Sequence, residues 1–135
     1  MNIENSWIKA GALVAAFAAA LGAFDLQPVG ETKVQPDADF AKAIVYQMVH
    51  GLAIVAVGIL MVLRPGRLLR ISGYCFLVGT LLFSGSIYLM LLTGMTWLEY
   101  TQLLGVVVLV FAWFLLVEGA CPGWNRKKEK EIEST

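Results

Sequence analysis

Residues 43–63 read AIVYQMVHGLAIVAVGILMVL and run straight into Arg64-Pro65-Gly66-Arg67. The run carries no charged residue, and its apolar residues are continuous rather than spaced along one helical stripe. A soluble surface helix would instead show a polar face with a 3.6-residue period. About 20 mostly apolar helical residues cross the hydrocarbon core of a bilayer, so this stretch predicts a transmembrane helix. The Pro-Gly pair breaks the helix and turns the chain. Ile71–Leu92, again without charge, then predicts an antiparallel return span.

Two further runs extend the pattern. Ala10–Phe24 and Leu103–Val117 contain no charged residue, and the first reaches spanning length by including Trp7, Ile8 and Lys9. Lysine can extend its amine toward the headgroups. Glu4 and a lone lysine at the start differ from the basic beginning of a secretory signal, so this segment reads as a true span. The expected spans are residues 7–24, 40–63, 70–92 and 98–120, within a transmembrane domain over residues 1–120. A charged tail over 121–135 follows. In the first connection, Pro36 with Asp37 and Asp39 is a start signal for the second helix. The other connections, Arg64–Arg67 and Thr93–Thr96, are tight. Runs this long exclude barrel strands, and short turns force antiparallel neighbours. The fold class expected is an all-α membrane protein, an up-down-up-down four-helix transmembrane bundle.

Composition agrees, with 59% hydrophobic and 15% charged residues, against roughly 45–50% and 25% in soluble domains. Net charge is zero, which offers no electrostatic case for nucleic acid. The signs are unevenly placed. Lys9, Arg64, Arg67, Arg70, Arg126, Lys127, Lys128 and Lys130 fall on the side of both termini. Only Lys33 and Lys42 fall on the other, with Asp25, Glu31, Asp37, Asp39 and Glu99. Basic residues near span ends favour the cytoplasm, so both termini are expected there, in a bacterial inner membrane. Trp7 and Trp124 at one boundary, and Trp97 and Tyr100 at the other, fit aromatic belts. The tail over 126–133 alternates lysines with glutamates and reads as a solvated end rather than a lipid hook. Cys75 and Cys121 are too few for a disulfide framework.

Small residues Gly11, Ala15, Ala18 and Gly22 share a face of the first helix, and Ser72, Gly79 and Ser86 recur at heptad spacing on the third. Both read as packing faces. The polar residues at membrane depth are fewer. His50 is the only histidine, with Tyr46 and Gln47 one turn earlier on the same face. Ser84, Ser86 and Tyr88 of the third span are expected at a similar depth, and Gln102 nearer the outer end. A polar residue at this depth faces other helices rather than lipid. The expectation is one cluster of Tyr46, Gln47, His50, Ser84, Ser86, Tyr88 and Gln102 in the outer half, centred on His50. In one reading His50 fixes helix register through hydrogen bonds. In the other it titrates near neutral pH and carries protons or a ligand. No carboxylate lies deep in a span, and Glu118 is expected to pair with the arginines of the second connection. A lone histidine offers no metal site, and no phosphate loop or nucleophile motif occurs. Catalytic residues, cofactor and metal are all expected to be none.

Leu21-Gly22-Ala23-Phe24, Tyr46-Gln47-Met48-Val49-His50 and Phe83-Ser84-Gly85-Ser86-Ile87-Tyr88 occur in order on the first three spans. On these motifs the chain resembles the YgdD-like family of small four-span membrane proteins of unknown function (DUF four-two-three), from Trp7 to Glu118. It looks like a divergent member. Asp25-Leu26-Gln27 stands where the family carries Gly-Ala-His, and Gly105 alone marks its Thr-Pro-Ile-Gly-Gly. Ala112-Trp113 lies near its Gly-Trp. The resemblance implies fold and membrane location and no activity.

The expected function is therefore non-enzymatic. The chain reads as an accessory or scaffolding subunit, its partners the lipid bilayer and other membrane subunits or further copies of itself. The alternative is a small transporter or channel using the polar cluster around His50.

Overall fold

The computed structural model describes residues 3–23 and 36–121. They form α1 (Ile3–Ala23), α2 (Pro36–Leu63), α3 (Arg67–Thr80), a π-helical turn (Leu81–Gly85), α4 (Ser86–Thr93) and α5 (Leu98–Ala120). Among the described residues there is no strand. α3, the π-turn and α4 make one rod, so four helices, Asn5–Ala23, Ala38–Leu63, Arg67–Thr93 and Leu98–Ala120, are long and apolar enough to cross a bilayer. The chain is an all-α, four-span membrane bundle.

The turns follow from their residues. α2 begins at Pro36, where the ring's missing N–H costs nothing at a first helical position. It ends before Pro65, and Gly66 in extended conformation (φ −150°) starts α3. At the other end Gly94 takes the left-handed conformation (φ 71°), which glycine adopts without a Cβ clash. Its N–H donates to the Met90 carbonyl at 2.7 Å and closes α4.

α2 and the α3–α4 rod are central, with α1 on one flank against α2 and α5 on the other against the rod. The spanning window of the rod is 50% buried, against 17% for α1 and for α5. Lipid tails are as apolar as leucine, so association depends on close backbone approach and hydrogen bonds. Both flanks show this. A Cβ on Gly11 would lie 2.6 Å from the Gly51 carbonyl oxygen, and one on Gly105 2.7 Å from the Phe83 nitrogen. Between them Ile54, Val57, Phe76 and Ile87 are fully buried. Trp7 lies over Gly73, where a Cβ would come within 3.2 Å of its ring, and edge-on to Tyr74, while Gly119 packs on Leu69. The start of α1, the start of α3 and the end of α5 thus share one end of the bundle.

Candidate functional site

The π-turn adds a residue to the hydrogen-bond loop and rotates the rod locally. Ser84, within that turn, donates from Oγ to the Ala43 carbonyl of α2 at 2.9 Å. One turn on, Tyr88 donates from its hydroxyl to Oε1 of Gln47 at 2.9 Å, and Gln47 Nε2 donates to the Val14 carbonyl of α1 at 3.1 Å. α1, α2 and the rod are joined through the single amide of Gln47.

His50 faces another way. Its Nδ1 lies 2.7 Å from the Tyr46 carbonyl oxygen, one turn back on α2. A carbonyl only accepts, so Nδ1 carries the proton and Nε2 is left as an acceptor. The Trp113 indole N–H on α5 donates to that Nε2 at 3.4 Å. This pair of bonds requires the neutral imidazole, since a second ring N–H would point at the indole N–H. Phe76 packs against both rings, at centroid distances of 5.8 Å to His50 and 5.0 Å to Trp113. Tyr46, 5.8 Å from His50, stacks on Phe83 at 4.5 Å.

The expected single cluster is thus two separate groups. Gln47, Ser84 and Tyr88 meet at the α1–α2–rod seam. His50 meets Trp113 at the α2–α5 contact and touches neither serine. The reason is angular. Three residues advance about 300° around a helix of 3.6 residues per turn, so residues 47 and 50 project about 60° apart, enough to aim them at different neighbours. His50 also lies at the middle of Ala38–Leu63 rather than in its outer half. Ser86 turns back on its own rod, its Oγ within reach of the Leu82 and Phe83 carbonyls. Gln102 reaches only the sulfur of Met90, at 3.7 Å. Glu118 does not pair with the arginines, since the ion pair among the described residues is Lys42–Asp39 at 2.7 Å. Asp25 and the tail beyond Cys121 lie outside the described residues.

Trp113 was absent from the expected cluster. Its signal was position: tryptophan favours membrane boundaries, yet this one stands inside the uncharged run Leu103–Val117. Ser72, placed on a packing face, also binds across helices, donating to the Ala112 carbonyl at 2.8 Å.

Beside the Gln47–Tyr88 pair is a cavity of about 210 Å³ between α1 and the π-turn, lined by Val14, Phe17, Leu77, Leu81 and the carbon faces of Thr80 and Ser84. Its wall exposes no polar atom, because the polar groups around it are spent elsewhere. Thr80 donates to the Phe76 carbonyl at 2.7 Å. Among the described residues no three of His, Cys, Asp and Glu gather to hold a metal ion. Among the described residues no carboxylate is hydrogen-bonded to His50 as an acid–base partner.

An all-helical chain with four spans and its interior polar groups hydrogen-bonded across helices belongs to the class of small multi-pass integral membrane proteins. Residues 18–117 match the family described as "Protein of unknown function (DUF423)", and the chain belongs to that family. It is 31% identical over 121 residues to a UPF0382 membrane protein of Haemophilus influenzae, covering 87% of this chain and 95% of that one. It is 30% identical over 112 residues to a UPF0382 membrane protein of Staphylococcus aureus, covering 82% and 91%. No solved structure matches. The family resemblance read from the Tyr-Gln-x-x-His and Phe-Ser-Gly-Ser motifs is therefore correct.

Proposed function

We propose that this protein is a non-enzymatic accessory or scaffolding component of a membrane assembly, with both termini in the cytoplasm. The observation that carries this reading is the set of hydrogen bonds between helices. Gln47 joins α2 to α1, Ser84 and Tyr88 join the rod to α2, Ser72 joins the rod to α5, and Trp113 joins α5 to α2. Polar side chains spent this way set register and stiffness rather than standing free for transport or chemistry. A transporter centred on His50 is disfavoured for the same reason: both ring nitrogens are engaged, and the Gln47 group lies on a different seam.

A stiff bundle also presents a fixed surface. Leu103, Leu104, Val107, Val110, Phe111 and Phe114 of α5 are all exposed on the outside of the bundle, where another transmembrane helix can pack. Purification from native membranes in mild detergent is the test. Co-purification of a stoichiometric membrane partner is expected, and a partnerless monomer overturns the proposal. Flux in liposomes that disappears in His50→Ala would establish the transporter instead.

A further inference from the structure

We propose that the turn between α2 and α3 binds the phosphate of an anionic phospholipid headgroup. Arg64 follows the last residue of α2, Arg67 opens α3, and Arg70 stands one turn further along it. All three are exposed. Among the described residues none of them makes an ion pair, since the pair that forms is Lys42–Asp39, near the start of α2. Gly119 packing on Leu69 brings the end of α5, with Glu118, to this end of the bundle, yet Glu118 does not engage an arginine.

Helix stability does not account for this placement. Arg64 lies at a helix C-terminus, where a cation is favoured, but Arg67 and Arg70 occupy the first turn of α3, where the helix dipole disfavours cations. That turn holds no acidic residue, and Gly66 before it supplies no capping side chain. Three guanidinium groups within seven residues, repelling one another and lacking an ion-pair partner among the described residues, are complementary to an anion.

The site's level selects the anion. The arginines stand where two uncharged spans end, and one turn inward from Arg70 are Gly73 and Tyr74, packed on the Trp7 ring. Tryptophan and tyrosine in this position mark the headgroup layer. The anion concentrated there is the lipid phosphodiester, whose oxygens match the planar fork of arginine. Its acyl chains hold it at this depth, which a free phosphate lacks.

The test uses the full-length protein in vesicles of phosphatidylcholine with a minor fraction of phosphatidylglycerol. After extraction in mild detergent, retained lipids are counted by native mass spectrometry. Preferential retention of phosphatidylglycerol is expected. Arg64→Gln, Arg67→Gln and Arg70→Gln should each lower that preference by about fivefold, the effect of one basic residue beside an anionic lipid surface. The triple variant should lose it, and the single variants carry the test if the triple does not fold. Lys42→Gln should leave the preference unchanged. Equal retention of both lipids by the unaltered protein, or undiminished preference in the single variants, overturns the proposal. Displacement of the lipid by inorganic phosphate at equal concentration also overturns it, by assigning the site to free phosphate.

Discussion

The Trp113 indole N–H donates to Nε2 of His50 across 3.4 Å, tying the middle of α2 to α5. On the other side of the ring Nδ1 donates to the Tyr46 carbonyl, so the one histidine of the chain uses one ring nitrogen as donor and the other as acceptor. Its place at membrane depth is explained by what it connects.

If that tie sets register, His50→Ala should cost about 0.6 kcal/mol, the average for side-chain hydrogen bonds between membrane helices, and at most ~1.7 kcal/mol. Trp113→Phe removes the same bond from the other side. The two losses should therefore be less than additive in a double-mutant cycle followed by denaturant unfolding in micelles. Full additivity would show that the bond contributes nothing.

Gln47 makes a sharper case, because one amide serves two neighbours. Gln47→Leu should destabilise by about 1–3 kcal/mol, leaving the Tyr88 hydroxyl without a partner in an apolar setting. Adding Tyr88→Phe should restore part of that loss, since the orphaned hydroxyl goes with it. A double variant less stable than Gln47→Leu alone would contradict the pairing.

Two glycines, Gly105 on the α5–rod seam and Gly85 beside the cavity facing α1, separate packing from vacancy. A Cβ at Gly105 would meet the Phe83 backbone at 2.7 Å, whereas one at Gly85 meets nothing within 4 Å. Gly85 has ordinary right-handed helical angles (φ −63°, ψ −39°). Gly105→Ala should cost about 1–3 kcal/mol through overpacking. Gly85→Ala should be neutral or stabilise by up to ~1 kcal/mol, through the helix preference for alanine. Thermal unfolding of the two variants decides this, and the reverse order would refute the seam.

Trp7 is 95% buried by its 5% exposure, and its Nε1 has no hydrogen-bond partner. Trp7→Phe keeps an aromatic ring over Gly73 and removes the orphan donor, so stability should hold or rise. Trp7→Ala should lose about 3–5 kcal/mol, as for an aromatic residue deleted from a core. Equal losses in both variants would mean that the N–H is partnered in the membrane.

The cytoplasmic assignment of the termini is checked with Cys121, which is exposed at the end of α5. A membrane-impermeant maleimide should label it in inverted vesicles and not in intact cells, with Cys121→Ser as control. Labelling in intact cells would reverse the orientation.

Much of this protein could be read from its residues because the bilayer imposes a simple rule. Uncharged runs such as Ala43–Leu63 have to be helices, since in lipid each backbone group must bond within its own segment. Arg64-Pro65-Gly66-Arg67 and Gly94 have to be turns. Span number, antiparallel order, the start of α2 at Pro36 and the family all follow from local chemistry that needs no partner. The small residues are also visible as packing positions, because close approach has little substitute where the hydrophobic drive is absent.

The interior could not be read the same way. Gln47 and His50 share a helix and a region of polarity, and spacing alone suggested one cluster. Which neighbour each one meets depends on helix rotation, and here the π-turn at Leu81–Gly85 and the flanking positions of α1 and α5 set the rotation and the neighbours. Trp113 becomes a partner of His50 only because its indole reaches past Phe76 of the rod to α2, and Ser72 finds the Ala112 carbonyl only because α5 lies against the rod. Gly85 opens on a cavity while Gly105 is closed against backbone, though both are single glycines in apolar helices. Local residue chemistry is enough to require four membrane crossings. The tertiary structure decided how its polar groups are divided between seams, because that division depends on distances between residues far apart in the chain.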